Sequence, residues 1–76
     1  MTRALVTGGS GYFGSLLVAR LLERGDGVRV LDLHDADDRP PDVELVAGDV
    51  RDPDVVRRAL RDVDTVYHLS LIHISE

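Results

Sequence analysis

Apolar positions along this chain come in blocks whose period changes from block to block. Arg3-Ala4-Leu5-Val6-Thr7 is a short, almost continuous apolar run, the pattern of a strand buried on both faces of a parallel sheet. From Phe13 the period lengthens. Phe13, Leu16, Leu17 and Leu21 recur at helical spacing, Val18 and Leu22 widen the stripe, and Arg20, Glu23 and Arg24 fall on the other side. Gly25-Asp26-Gly27 ends that helix, since glycine takes the left-handed cap conformation at least cost. Val28-Arg29-Val30-Leu31-Asp32 reads as a second strand, and Leu33 to Asp42 as a loop, because Pro40 and Pro41 cannot continue regular structure. Val43 to Ala47 predicts a third strand. Gly48 to Asp52 turns the chain, with Asp52 suited to an N-cap and Pro53 to the first helical position. Val56, Ala59, Leu60 and Val63 then repeat at i, i+3, i+4 and i+7, a second helix with one buried stripe, and Asp64 to Leu69 is a fourth strand. The order β-α-β-β-α-β predicts an α/β fold.

The chemistry concentrates between the first strand and the first helix. Val6-Thr7-Gly8-Gly9-Ser10-Gly11-Tyr12-Phe13-Gly14 satisfies both Gly8-x-x-Gly11-x-x-Gly14 and Gly9-x-Gly11-x-x-Gly14. Glycines in such a turn let backbone approach a pyrophosphate, and the free amides of the following helix N-terminus point at the anion. Asp32 closes the second strand eighteen positions beyond Gly14. A nucleotide fold places a carboxylate at about that separation to accept from the adenine ribose 2′-hydroxyl. An acid there disfavours a 2′-phosphate, and neither Ser10 nor Leu33 supplies a cation to reverse this, so NAD is expected over NADP.

With Thr7 ahead of it, the glycine pattern resembles that of the short-chain dehydrogenase/reductase superfamily, in its extended branch of sugar-nucleotide epimerases and dehydratases. The resemblance covers Thr2 to about Leu69 and implies a partial Rossmann-type, doubly wound parallel sheet of four strands and two helices in the order 3-2-1-4. It implies that Gly8, Gly11 and Gly14 form the glycine motif, with the amides of Tyr12 and Phe13 as pyrophosphate donors. Asp32 matches the family's acidic residue on the ribose. Gly48-Asp49-Val50 resembles the segment that contacts adenine, the Asp49 carboxylate toward the exocyclic amine and the Val50 amide toward a ring nitrogen. Val66 to Ser70, including Leu69, is similar to the stretch that passes beside the cofactor. Read from the residues alone, Asp49 could merely cap the loop before the second helix, His68 could be a strand-end histidine with a backbone partner, and Tyr67 could simply pack.

The same resemblance implies an acid/base tyrosine with a lysine four residues later. All nine basic residues here are arginine, and Tyr12 and Tyr67 lie in the glycine turn and the fourth strand. No catalytic residue is therefore assigned. A doubly wound dinucleotide fold has six strands, so these 76 residues read as the N-terminal half of a domain, residues 1–70, from an NAD-dependent epimerase, dehydratase or dehydrogenase acting on a sugar nucleotide or similar alcohol. The alternative is a non-catalytic NAD(P)-binding sensor, and a Tyr-x-x-x-Lys further along the gene separates the two. A methyltransferase is disfavoured because His34-Asp35, not a glycine turn, follows Leu33.

Composition adds exclusions. The net charge of -5 argues against nucleic acid or anionic membrane as the main partner. No run is long and apolar enough for a spanning helix and no leader pattern precedes the first strand, which makes the cytoplasm the expected compartment. With no cysteine there is neither disulfide nor thiolate metal site, and His34 with Asp35, Asp37 and Asp38 reads as a solvated acidic loop rather than a metal centre. Residues 1–70 contain no isoleucine, whereas Leu71-Ile72-His73-Ile74 holds two. Leu69 to Glu76 resembles the translation of a transposase-type sequencing adapter, so 71–76 read as a non-native tail.

Overall fold

The apolar run that opens the chain becomes the inside of a parallel sheet. The computed structural model describes residues 2–8, 12–33 and 39–69. In it β1 (Arg3–Thr7), α1 (Tyr12–Glu23), β2 (Gly27–Asp32), β3 (Glu44–Ala47), α2 (Pro53–Ala59) and β4 (Thr65–His68) follow in that order. The sheet runs β3-β2-β1-β4 and every pairing is parallel, which is the Rossmann-type 3-2-1-4 order that the family resemblance implies. Strand limits shift by one residue from the sequence reading: β2 begins at Gly27, and Val43, Asp64 and Leu69 fall just outside β3 and β4.

Side chains alternate across the sheet, so neighbours in sequence serve different cores. Ala4 and Val6 pack with Val28, Val30 and the α1 residues Val18 and Leu21, whereas Leu5 packs with Leu31 and the α2 residues Val55 and Ala59. One helix thus covers each face. Ala4, Leu5 and Val6 are at most 1% exposed because β1 has a strand on either side as well as cover above and below.

In both helices the buried stripe is rotated from the expected one, although Leu21 and Ala59 are buried as expected. In α1 the buried residues are Gly14, Val18 and Leu21, with Leu17 and Leu22 packed beside them, while Phe13 and Leu16 are 74% and 51% exposed. The apolar arc of this helix is wider than one contact can cover, and the side carrying the small Gly14 lies against the sheet. In α2 the buried pair is Val55 and Ala59; Val56 and Val63 are half-buried against the same cluster and Leu60 is 42% exposed. The helix stops at Ala59 with Leu60 as its C-cap, so Leu60 and Val63 never complete a third turn.

The caps follow the sequence. Gly25 has φ +86°, its N–H donates to Leu22 O at 3.0 Å and the N–H of Asp26 donates to Leu21 O at 3.0 Å, a Schellman closure of α1. Asp52 Oδ1 accepts from Asp54 N at 3.0 Å, with Pro53 first in α2.

A buried cation was not foreseen. Arg29, 7% exposed in the middle of β2, donates from Nε to Glu44 Oε1 at 2.8 Å and from Nη1 to both Ala59 O and Arg61 O at 2.7 Å. It clamps the carbonyl end of α2, where helix acceptors lack intrahelical partners, onto the sheet. Arg29→Met keeps the apolar stem and strands those acceptors, so stability should fall by about 1–3 kcal/mol. A denaturant midpoint equal to wild type would show that water replaces the clamp without loss.

Candidate functional site

Because all four strands run the same way, their carboxyl ends share one edge of the sheet. Gly8 follows β1, Asp32 ends β2, Gly48-Asp49-Val50 follows β3, and His68 ends β4 with Leu69 next to it. The strand order reverses at β1, between β2 on one side and β4 on the other, and in open α/β sheets ligands bind at the carboxyl edge of such a reversal.

A cleft of about 160 Å³ lies at this edge. Four of the residues expected from sequence line it: Gly8, Asp32, Asp49 and Val50. Thr7, Leu31, Leu33, Gly48 and His68 line it too, residues whose sequence pattern carried no individual site role. Leu69 stands beside the cleft, its N–H donating to Thr7 O at 3.0 Å. Tyr12, Phe13 and Gly14 open α1 and are not part of the lining; the amides of that first turn have no acceptor within the helix. The Tyr12 and Phe13 rings, each 74% exposed, meet edge to face at 5.4 Å. Gly9, Ser10 and Gly11 of the glycine run, the loop His34 to Asp38, and the tail Ser70 to Glu76 lie outside the described residues.

Gly8 is required by its own neighbours. Its φ of +75° belongs to the left-handed region, and a Cβ there would sit 2.9 Å from the backbone oxygen of Leu69. Its N–H donates to Leu31 O at 2.9 Å, which holds the turn against β2. The absent side chain thus admits the end of β4 in the first place.

Two polar contacts set the electrostatics. Asp49 Oδ1 accepts from Arg51 N at 2.8 Å, and the Arg51 guanidinium donates to both Asp49 oxygens, from Nη2 at 2.7 Å and from Nε at 3.1 Å. The Arg51 side chain and then its amide hold the Asp49 carboxyl at about 2, against 3.8 for a free group. What this depressed value adds to stability is present above about pH 4 and is lost as pH falls toward 2. The loop-capping reading of Asp49 is therefore realised, and the residue lines the cleft as well. Thr7 Oγ1 and His68 Nδ1 lie 2.6 Å apart. The partner of His68 is thus a side chain rather than the backbone group expected; Thr7 and His68 sit in register across β1 and β4, a pairing that only the strand order reveals.

Among the described residues, no group of three or more His, Cys, Asp or Glu is placed to hold a metal, and no helix is long and apolar enough to cross a membrane.

Comparison with known proteins gives a consistent picture. The model of the NAD dependent epimerase/dehydratase family matches residues 4–75. An uncharacterized protein of Sinorhizobium fredii is 49% identical over 65 residues, which are 86% of this chain and 16% of that protein. The 3 beta-hydroxysteroid dehydrogenase/Delta 5-->4-isomerase of Mycobacterium tuberculosis is 41% identical over 71 residues, 92% of this chain and 19% of the enzyme. The crystal structure of Thermus thermophilus UDP-glucose 4-epimerase in complex with NAD superimposes with a TM-score of 0.78 at 40% identity, covering 91% of this chain and 24% of that one. This chain therefore spans less than a quarter of each of these proteins.

Proposed function

The chain belongs to the NAD-dependent epimerase/dehydratase family, and from that premise we propose that it forms the adenosine- and pyrophosphate-binding part of a longer NAD-dependent enzyme acting on a sugar nucleotide or comparable alcohol. The observation that carries this reading is the convergence of Gly8, Asp32, Asp49 and Val50 on one cleft at the strand-order reversal, with α1 starting four residues after Gly8.

The residues present fit the cofactor. Asp32 accepts from the adenine ribose 2′-hydroxyl, Asp49 from the 6-amino group, and the Val50 amide donates to a ring nitrogen. Tyr12 and Phe13 offer first-turn amides to the pyrophosphate beside Gly11 and Gly14, and Leu69 passes alongside. The cleft is about half the smallest size usual for a pocket that encloses a whole small molecule, which suits one end of a dinucleotide. When bound, NAD exchanges hydride with a substrate carbon. What this chain contributes is binding and orientation; with no lysine, the tyrosine–lysine pair of the family's chemistry belongs to the remainder of the longer protein, and the 76 residues alone are not catalytic. In the same reading residues 1–70 are half of the dinucleotide domain and 71–76 are a non-native tail. A long-read sequence of the locus in which Leu71 to Glu76 continue in frame would remove the tail from the proposal.

Cofactor choice tests the site. Calorimetry on the longer protein should show NAD binding tighter than NADP by about tenfold or more, since the Asp32 carboxylate repels a 2′-phosphate. Asp32→Ala should narrow the gap. Equal or tighter binding of NADP by the unaltered protein would refute the role given to Asp32.

A further inference from the structure

Asp49 and Arg51 flank Val50 at the rim of the cleft, and their contact is denser than a strand-to-helix turn requires. The bond from Arg51 N to Asp49 Oδ1, 2.8 Å, closes the turn by itself. The guanidinium then adds Nη2 to Oδ2 at 2.7 Å and Nε at 3.1 Å from each oxygen. A fork of this kind fixes the plane of a carboxylate as well as its position. The lining of the cleft includes Asp49 and not Arg51, and the Asp49 side chain is 33% exposed against 86% for Arg51. Asp49 therefore belongs to the lining of the cleft, while its largely exposed cation does not.

Two chemical consequences follow. An ionised carboxylate can only accept hydrogen bonds, and Arg51 keeps Asp49 ionised well below neutral pH. With Nε shared between the two oxygens, the carboxylate retains capacity for one more donor. We propose that Arg51 is a positioning residue that fixes Asp49 as an acceptor-only group toward the base of the bound nucleotide, so that a base presenting an amino donor is selected over one presenting a carbonyl there. This rests on the adenine role given to Asp49 above. Without such a role the pair is a local turn contact, and its removal would affect every dinucleotide alike.

The test uses the longer protein and its Arg51→Ala and Arg51→Lys variants, titrated calorimetrically with NAD and with nicotinamide hypoxanthine dinucleotide, which has a carbonyl oxygen in place of the 6-amino group. Wild type should prefer NAD by about tenfold or more, because a carbonyl facing a fixed acceptor leaves both unpaired. Arg51→Ala should weaken NAD by about tenfold and leave the hypoxanthine dinucleotide within about twofold. Arg51→Lys keeps the charge without the fork and should fall between; it supplies the same comparison if the alanine variant does not fold. Parallel loss of both ligands, or loss of neither, would overturn the positioning role while leaving the adenosine site standing. Equal binding of the two ligands by wild type would overturn Asp49 as the base contact, and binding of neither would overturn the NAD reading itself.

Discussion

Gly8→Val should remove dinucleotide binding from the longer protein and destabilise its sheet together. The left-handed φ of +75° costs a branched residue about 1–2 kcal/mol, and the new Cβ would meet the Leu69 backbone oxygen at 2.9 Å, an atom that cannot swing away as a side chain could. Moving that oxygen displaces the end of β4 from β1, where Leu69 N donates to Thr7 O. The combined loss should reach about 2–4 kcal/mol in a denaturant titration. Gly25 separates conformation from space: it too has a positive φ, +86°, yet nothing lies within 4 Å of its missing Cβ. Gly25→Ala should therefore cost about 1 kcal/mol and leave NAD affinity unchanged. A Gly8→Val protein that binds NAD like wild type would show that the turn after β1 is not part of the site.

The second large effect concerns the 76 residues expressed by themselves, which should aggregate or remain loosely packed, with weak NAD affinity at most. β4 is an edge strand whose outer side has no partner among the described residues, and its Val66 is 48% exposed. Phe13 and Leu16 add apolar surface on the outer side of α1. A core built from seven buried residues on one face and four on the other has little margin over chain entropy before those exposures are counted. Purified monomer with a cooperative thermal transition and micromolar affinity for NAD would show instead that these residues fold as an autonomous unit.

Element order and the helix caps were legible because each has a local cause: the period of Arg3 to Thr7, the glycine after α1, Asp52 before Pro53; the strand order has no local cause and came from the family resemblance. Four of the nine expected cofactor residues meet in the cleft for the same reason, since a parallel sheet puts all strand ends on one edge. What escaped was set by tertiary geometry. The width of the apolar arc of α1 left two choices of buried face, and only the sheet decides between them. Arg29 reads as an ordinary strand charge until α2 brings Ala59 O and Arg61 O over it. The Thr7–His68 contact joins residues 61 apart, beyond any local pattern. Arg51 carried no signal of its own in the sequence, so its fork with Asp49 was missed.

The place of β1 inside the sheet also orders events in time. Its first strand partner pairs Arg3 with Gly27, while its second pairs Ala4 with Thr65. Closing the longer span costs about 0.8 kcal/mol more in chain entropy than closing the shorter one. On a ribosome, β1 obtains a neighbour on one side early and on the other only after His68 has emerged. Throughout that interval the segment destined to be best protected from water keeps one unsatisfied rim, and it is the span in which a chaperone or a second nascent chain would find it.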